Sequence, residues 1–135
     1  MRSKIATPLA AAIVAATAAL ALAPQPAIPV AYRARPPLEQ VEPKALAKAL
    51  LTPKQFQCFD SLMTKESHWN PKAKNPGSSA RGVGQLLDVT YQNLGMQHSQ
   101  MAVPQVVAAL AYIGRKYGSG GPCSAWAHWK KHKWY

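Results

Sequence analysis

Acidic side chains are scarce in this sequence, and this limits the acid–base chemistry that the chain can perform. The 135 residues include 5 Asp and Glu against 16 Lys and Arg, which gives a formal net charge of +11. Only Asp60, Glu66 and Asp88 lie beyond residue 45. So positive a surface favours polyanions as partners. The basic residues are scattered until Lys130, however, so no DNA-reading helix is indicated and we expect no nucleic-acid partner.

Cysteine is also rare in this sequence. Cys58 and Cys123 are the only two, and they lack the CxxC spacing of a zinc site. His128 and His132 stand four residues apart, as a helical metal-binding pair would, but no third ligand accompanies them. We therefore expect no metal. In an exported chain an even number of cysteines predicts a disulfide, here closing a loop of about 65 residues. Two buried free thiols are the alternative.

Several motifs that would indicate other enzyme classes are also missing. There is no GxSxG sequence, and no acidic residue is placed to orient a histidine for nucleophilic catalysis. The glycine pair in Gly82-Val83-Gly84 has no strand before it, which argues against a phosphate-binding loop.

The N-terminal third does not have the composition of a folded domain. Residues 1–23 begin with two positive charges and continue as an uncharged apolar run, which predicts a secretory signal or, alternatively, an uncleaved membrane anchor helix. Six of the 12 prolines lie between Pro24 and Pro43, so residues 24–45 are predicted to be a linker. We expect one folded domain at 46–135, located outside the cytoplasm, with membrane contact only through an uncleaved N-terminus.

The sequence of the folded part indicates helices and no strand, so the predicted fold class is all-α. Thr52 is a good N-cap, Pro53 suits the first helical position, and Gln55 completes the pattern of a capping box. We expect this first helix to stop at Asn70-Pro71. Further helices are predicted at 88–94, 104–117 and 124–132, with a long loop at 70–85.

Glu66 is the best candidate for an acid among the three carboxylates. Helical spacing places it on the same face as Phe59 and Leu62, at the C-terminal end of a stripe that faces the core. Cleavage of a glycosidic bond requires a carboxylic acid whose pKa is raised by apolar surroundings. The alternative is an ordinary glutamate at the helix edge, solvated or paired with Lys65 or Arg81.

The other two carboxylates have simpler interpretations. Asp88 begins a helix and is expected to be its N-cap, and Asp60 is expected on the exposed flank of the first helix. Aromatic faces suit sugar rings, although each tryptophan on its own is more typical of packing. The chain has four of them: Trp69, Trp126, Trp129 and Trp134.

Two segments together resemble the soluble lytic transglycosylase domain, which has a lysozyme-like fold. They are Glu66-Ser67-His68-Trp69-Asn70-Pro71 and, at 75–85, Asn-Pro-Gly-Ser-Ser-Ala-Arg-Gly-Val-Gly-Gln. The end of the chain, from Tyr112-Ile113 to Trp134-Tyr135, resembles some short members. The similarity covers about residues 50–135 and implies a small helical domain of this type.

The resemblance implies a site and a reaction. Glu66 corresponds to the catalytic acid, Ser67 to an active-site serine, Gly82 and Gln85 to the substrate cleft, and Tyr112 to a tyrosine that contacts the catalytic glutamate. Glu66 would first protonate the oxygen between N-acetylmuramic acid and N-acetylglucosamine. It would then act as base on the muramyl 6-hydroxyl and close a 1,6-anhydro ring. The implied partner is the peptidoglycan glycan strand, with anionic cell-wall polymers as a further possibility and no metal or cofactor. We expect a monomer.

Two departures from the family pattern keep alternatives open. Asp88 stands where the family often has proline, and Ser-Ser-Ala at 78–80 replaces Ser-Gly-Ala. If Asp88 reaches the cleft, it could support simple hydrolysis, as in a lysozyme-type muramidase on the same fold. The remaining alternative is a basic cell-wall-binding protein without catalysis.

Overall fold

The computed structural model describes Pro37 and residues 40–135. The predicted signal or anchor at 1–23 and most of the predicted linker lie outside the described residues. The described part is helical and contains no strand, in agreement with the all-α prediction. Its only β-type pairings are isolated antiparallel bridges of Arg81 with Lys74 and with Leu86. Among these residues, no helix combines the length and the apolar character needed to cross a membrane.

Five helices follow one another along this part of the chain. The helix predicted at 88–94 is confirmed, whereas the starts predicted at 104 and 124 were too late because Pro104 and Pro122 both fit within the first turn of a helix. A helix that we did not predict precedes the one at Pro53. It begins at Pro43, a few residues before position 46, where we placed the start of the domain. The helices are α1 (Pro43–Leu50), α2 (Pro53–Ser67), α3 (Asp88–Leu94), α4 (Ala102–Tyr117) and α5 (Gly121–His132), with a 3₁₀ turn at Gly118–Gly120 between the last two.

The two ends of α2 differ in part from the sequence prediction. Thr52 caps its N-terminus, since its Oγ1 accepts a hydrogen bond from the Gln55 main-chain N–H at 3.3 Å. The Gln55 side chain does not complete a capping box. Its amide instead accepts from the Cys123 N–H at 2.9 Å and donates to the Gly120 carbonyl at 3.3 Å, at the start of α5. The helix ends at Ser67 rather than at Asn70, because His68 adopts a left-handed conformation with φ of 53°.

The core lies between α2, α4 and α5. α2 buries Phe59, Leu62 and Met63 completely, and the same buried cluster includes Val106 and Ile113 of α4. Each such side chain contributes about 1.5–3 kcal/mol when it is removed from water. Glu66 is one helical turn beyond Leu62 and Met63, so the core packing determines where the α2 carboxylate is held.

A disulfide joins α2 to α5. Cys58 and Cys123 are bonded, with their Cα atoms 4.9 Å apart, which confirms the bridge expected from the even cysteine count. The bond closes a loop with a sequence separation of 65 residues. On the chain-entropy model, a loop of this size stabilises the fold by about 4 kcal/mol.

Candidate active site

A cavity of about 500 Å³ opens beside the C-terminal end of α2. Its walls come from α2, the loop at 68–87, α3, α4 and the segment that follows α5. The lining residues are Glu66, Asn75, Ala80, Gln85, Leu86, Leu87, Thr90, Tyr112, Lys133, Trp134 and Tyr135. Glu66 is the only one of these residues with a carboxyl group in its side chain.

Glu66 is half-buried in the last turn of α2 and faces this cavity. Its Oε1 atom accepts a hydrogen bond from the indole Nε1–H of Trp129 at 2.6 Å. It does not pair with Lys65 or Arg81, the partners of the simpler interpretation; Arg81 binds Asp88 instead. Within the described residues, Glu66 therefore has no cation to hold its charge.

These surroundings change the acidity of Glu66. Burial raises the pKa of its carboxyl group from 4.5 to about 7, although the hydrogen bond from Trp129 acts in the opposite direction. A group with a pKa near neutrality can both give and take a proton at that pH. The geometry thus provides a single residue that is able to act first as an acid and then as a base.

Ser67 is adjacent to Glu66 in sequence, but its hydroxyl group does not line the cavity. The side chain is buried, and its Oγ donates a hydrogen bond to the Val83 carbonyl at 2.7 Å. This bond attaches the loop to the end of α2. Ser67 therefore positions the cavity wall next to Glu66.

Gly82 and Gln85 have different places in the loop. Gly82 has a φ of 77°, and a Cβ atom there would lie 2.4 Å from Oε1 of Gln105, so no other residue fits without displacement. It does not line the cavity. Gln85 does, and its side-chain Nε2 donates to the Gly82 carbonyl at 2.9 Å. The two residues predicted together thus form one turn, of which Gln85 alone faces the cavity.

Gln105 of α4 holds this loop, and sequence reasoning missed it. It is fully buried; its Oε1 accepts from the Val83 N–H at 2.8 Å, and its Nε2 donates to the carbonyls of Pro71 at 3.0 Å and Ser99 at 2.8 Å. The available signal was a polar residue next to Val106 within an apolar helix face. A buried amide has to satisfy its hydrogen bonds, and here it does so on three loop main-chain groups.

Tyr112 lines the cavity but does not bond to Glu66. Its hydroxyl donates to the main-chain oxygen of Tyr135 at 3.0 Å and accepts from Nζ of Lys116 at 3.0 Å. The contact expected from a tyrosine is made instead by Trp129, which comes from α5. No spacing rule indicated which of the four tryptophans would meet Glu66, because that depends on how α5 packs on α2.

Tyr135 is a second residue that sequence reasoning did not assign. Its side chain is buried, and its hydroxyl donates to the Gly84 carbonyl at 2.6 Å. Burial raises the pKa of Tyr135 well above 10, and the negative charge of Glu66 acts in the same direction. Tyr135 therefore stays neutral and closes one side of the cavity against the loop.

Residues 53–121, about half of the chain, match the family model of the transglycosylase SLT domain. The protein belongs to this family. Its members are lytic transglycosylases that act on peptidoglycan. Searches among curated proteins and among solved structures give no significant match.

The matched segment of the transglycosylase SLT domain covers the residues that line most of the cavity, together with Ser67 and Gly82. It stops at the first residue of α5. Lys133, Trp134 and Tyr135, which complete the cavity, therefore lie beyond the segment that the family model describes. So does Trp129, which does not line the cavity but donates to Glu66.

The two other carboxylates of this transglycosylase domain are engaged elsewhere. Asp88 is the first residue of α3 rather than its N-cap, which is Leu87, and it forms an ion pair with Arg81. Asp60 is not simply on an exposed flank. It binds Nζ of Lys44 at 2.8 Å and accepts from Nε1 of Trp69 at 2.9 Å, so it connects α1 and the loop to α2. Neither carboxylate lines the cavity.

The two histidines of α5 pack with each other and with Trp134. His128 and His132 have ring centroids 4.3 Å apart, and Nδ1 of His128 lies 2.9 Å from the Trp134 main-chain oxygen. Within residues 40–135 no group of three potential metal-ligating side chains comes together. These two rings support the segment that carries Trp134.

Proposed function

We propose that the protein is an exported lytic transglycosylase that cleaves the β-1,4 bond between N-acetylmuramic acid and N-acetylglucosamine to a 1,6-anhydro product. The observation that carries this proposal is the state of Glu66, a half-buried carboxyl group that lines the cavity, forms no ion pair among the described residues and has a pKa of about 7. Peptidoglycan is the substrate of the family, which fits a location outside the cytoplasm.

The reaction uses Glu66 twice. The protonated carboxyl first gives its proton to the glycosidic oxygen as the bond from the muramyl C1 to that oxygen breaks. The resulting carboxylate then takes the proton of the muramyl 6-hydroxyl while O6 bonds to C1. The proton count of Glu66 is restored, and no water is consumed. A pKa near 7 suits both steps because neither ionisation state is strongly favoured.

The ion pairs of the other carboxylates support the non-hydrolytic outcome. Glycosidases that hydrolyse their substrate usually employ two carboxyl groups on opposite sides of the scissile bond. Asp88 would be the second group in the muramidase alternative, but it is bound to Arg81 and absent from the cavity wall. A single carboxylate fits a reaction in which the substrate's own hydroxyl replaces water.

The remaining site residues divide into two groups in this proposal. Gln85 and Tyr112 face the cavity and contact the glycan strand. Ser67 and Gly82 act through the loop, whose conformation they determine. Lys133 is the only cationic side chain on the cavity wall, and together with the net charge it favours anionic cell-wall polymers as secondary partners.

Lysis of purified peptidoglycan by the Glu66→Gln variant tests this function. Glutamine keeps the size of the side chain and its hydrogen-bond acceptor, but it has no acidic proton to transfer to the glycosidic oxygen. We therefore expect lysis to fall by at least about a hundredfold. Asp88→Asn is the matched control and is expected to lyse at nearly the wild-type rate. Equal lysis by Glu66→Gln and the wild type would overturn the enzymatic role and leave a non-catalytic wall-binding protein.

A further inference from the structure

Trp129 makes the one side-chain hydrogen bond to Glu66 among the described residues. Its Nε1–H points at Oε1 of Glu66 across 2.6 Å, in a partly buried setting. An indole N–H can only donate. It therefore interacts best with the carboxylate form of Glu66 and cannot accept the proton of the acid form.

Several contacts hold the indole of Trp129 in this orientation. The ring stacks on Trp126, with centroids 5.3 Å apart and planes 20° from parallel. Nζ of Lys133 lies 5.0 Å from the centroid of the same ring. At the start of the same helix, Cys123 is bonded to Cys58 of α2. The helix that carries the donor is thus covalently tied to the helix that carries the acceptor.

The other groups around Glu66 do not offer it an equivalent hydrogen bond. From α4, the Tyr112 hydroxyl donates to the main chain of Tyr135, and the Tyr135 hydroxyl donates to Gly84. Nζ of Lys133 donates to the Lys130 carbonyl.

The loop contributes only uncharged side chains to this part of the cavity, among them Asn75 and Gln85. Arg81 of the loop is bound to Asp88, and neither Lys72 nor Lys74 lines the cavity. The indole of Trp129 is therefore the group that responds most directly to the charge of Glu66.

We propose that Trp129 is a positioning residue for Glu66, whose indole N–H orients the carboxyl group and stabilises the carboxylate that forms when the proton is transferred. This inference rests on the proposed acid–base role of Glu66. A hydrogen bond to a developing charge is stronger in the transition state than before it, so it accelerates the step that creates the charge. The same bond opposes the effect of burial on the carboxyl pKa.

The first test compares Trp129→Phe with Trp126→Phe over a range of pH. Both changes keep an aromatic ring, but only the first removes a donor to Glu66. Lysis requires protonated Glu66 at the start, so it is lost as the pH rises through the pKa of that group. We call this high-pH decline of the rate the basic limb of the pH profile. For Trp129→Phe we expect the midpoint of the basic limb to move up by about one pH unit, because the carboxylate is no longer stabilised, and the maximal rate to fall about tenfold. Trp126→Phe is expected to keep the limb of the wild type.

The second test observes the hydrogen bond without catalysis. In a ¹H–¹⁵N NMR spectrum of the full chain, the indole resonance that disappears in Trp129→Phe belongs to Trp129. We expect this resonance to titrate with a midpoint near the Glu66 pKa of about 7 in the wild type. In Glu66→Gln it should stay constant over the same range. The titration itself needs only the wild type and Glu66→Gln, and Trp129→Phe serves only to assign the resonance. If that variant folds poorly, the indole resonance whose titration is lost in Glu66→Gln is the one to compare.

The outcomes separate this inference from the function on which it rests. A Trp129 resonance that titrates identically in Glu66→Gln, or a basic limb that does not move in Trp129→Phe, would overturn the positioning role. Equal shifts in Trp129→Phe and Trp126→Phe would overturn it too, because they would indicate a packing effect. Full lysis by Glu66→Gln would instead remove the acid–base function, whatever the resonance does.

Discussion

At the scale of single residues, the site depends on a carboxyl group that is kept away from compensating charge. The sequence could select Glu66 as the candidate acid, because helical spacing places it on an apolar face and because the family resemblance assigns it the same role. It could not indicate that Trp129 would donate to it, because the two residues are 63 positions apart. Nor could it show that Asp88 would be bound to Arg81, since that pair depends on the turn at 82–85.

The raised pKa of Glu66 predicts how stability depends on pH. The pKa of Glu66 is about 7 in the folded state and 4.5 in the unfolded state. Below pH 4.5 the group is protonated in both states and does not lower the free energy of unfolding. As the pH rises from there through 7, the folded state has to ionise the half-buried group, and the free energy of unfolding falls. Glu66→Gln should therefore gain stability relative to the wild type between about pH 4 and pH 8. Since Glu66 is only half-buried, solvent screening reduces the gain to about 1 kcal/mol.

Urea unfolding of both proteins at these two pH values measures this gain. Asp60→Asn, at a group that holds an ion pair with Lys44, serves for comparison and should not gain stability with rising pH. A difference between Glu66→Gln and the wild type that is the same at both pH values would contradict the predicted ionisation of Glu66.

Comparison of two glycines, Gly82 and Gly95, allows the packing of the loop to be tested separately from its backbone conformation. Gly82 and Gly95 both have positive φ, of 77° and 68°, but a Cβ atom would meet Gln105 only at Gly82. We expect Gly95→Ala to cost about 1 kcal/mol for the conformation alone. Gly82→Ala should cost about 1–3 kcal/mol more, because the Gln105 amide would have to move and leave buried partners. Equal unfolding midpoints of the two variants would exclude this contact.

At the scale of helices and loops, the sequence indicated the elements better than their docking. The N-cap at Thr52 and the glycine after α3 were readable because capping is a local interaction. The role of Gln55 was not, since its side chain turns from its own helix to the start of α5. The loop at 70–85 was predicted as a loop, but the buried amide of Gln105 that shapes it lies on a different element.

The disulfide between α2 and α5 provides a prediction at this scale. Replacing Cys58 and Cys123 together by serine should lower the free energy of unfolding by about 4 kcal/mol, since the unfolded chain is no longer restrained by the 65-residue loop. Thermal unfolding of the variant and of the wild type, each with and without a reducing agent, measures the effect. If reduction left the wild-type midpoint unchanged, the bridge would contribute nothing to stability.

At the scale of the whole molecule, a chain with a large positive net charge has a cavity with one acidic side chain, Glu66, and one basic side chain, Lys133. The sequence carries 16 basic and 5 acidic residues, and two of the acidic ones, Asp60 and Asp88, are in ion pairs. The family match covers α2, α3, α4 and most of the cavity, while the residues after α5 complete the wall. In our proposal the chemistry also depends on Trp129, which lies beyond the matched segment.

The overall charge predicts how the protein is retained on cell walls. Adsorption of Glu66→Gln, which we expect to be catalytically inactive, to intact walls should decrease strongly as the salt concentration rises from about 0.05 to 0.5 M, because exposed charges are screened over shorter distances. Walls stripped of their anionic polymers should retain less protein at low salt. Adsorption that is insensitive both to salt and to stripping would exclude anionic polymers as partners.

Mass spectrometry of the products from purified peptidoglycan tests the central claim most directly. If Glu66 is the single acid and base of a lytic transglycosylase, the wild type should release muropeptides that end in 1,6-anhydromuramic acid, lighter by one water than hydrolysis products. Asp88→Asn should give the same products, and Glu66→Gln should give none. Reducing muramic ends as the main product of the wild type, lost in Asp88→Asn, would contradict the claim and indicate a muramidase.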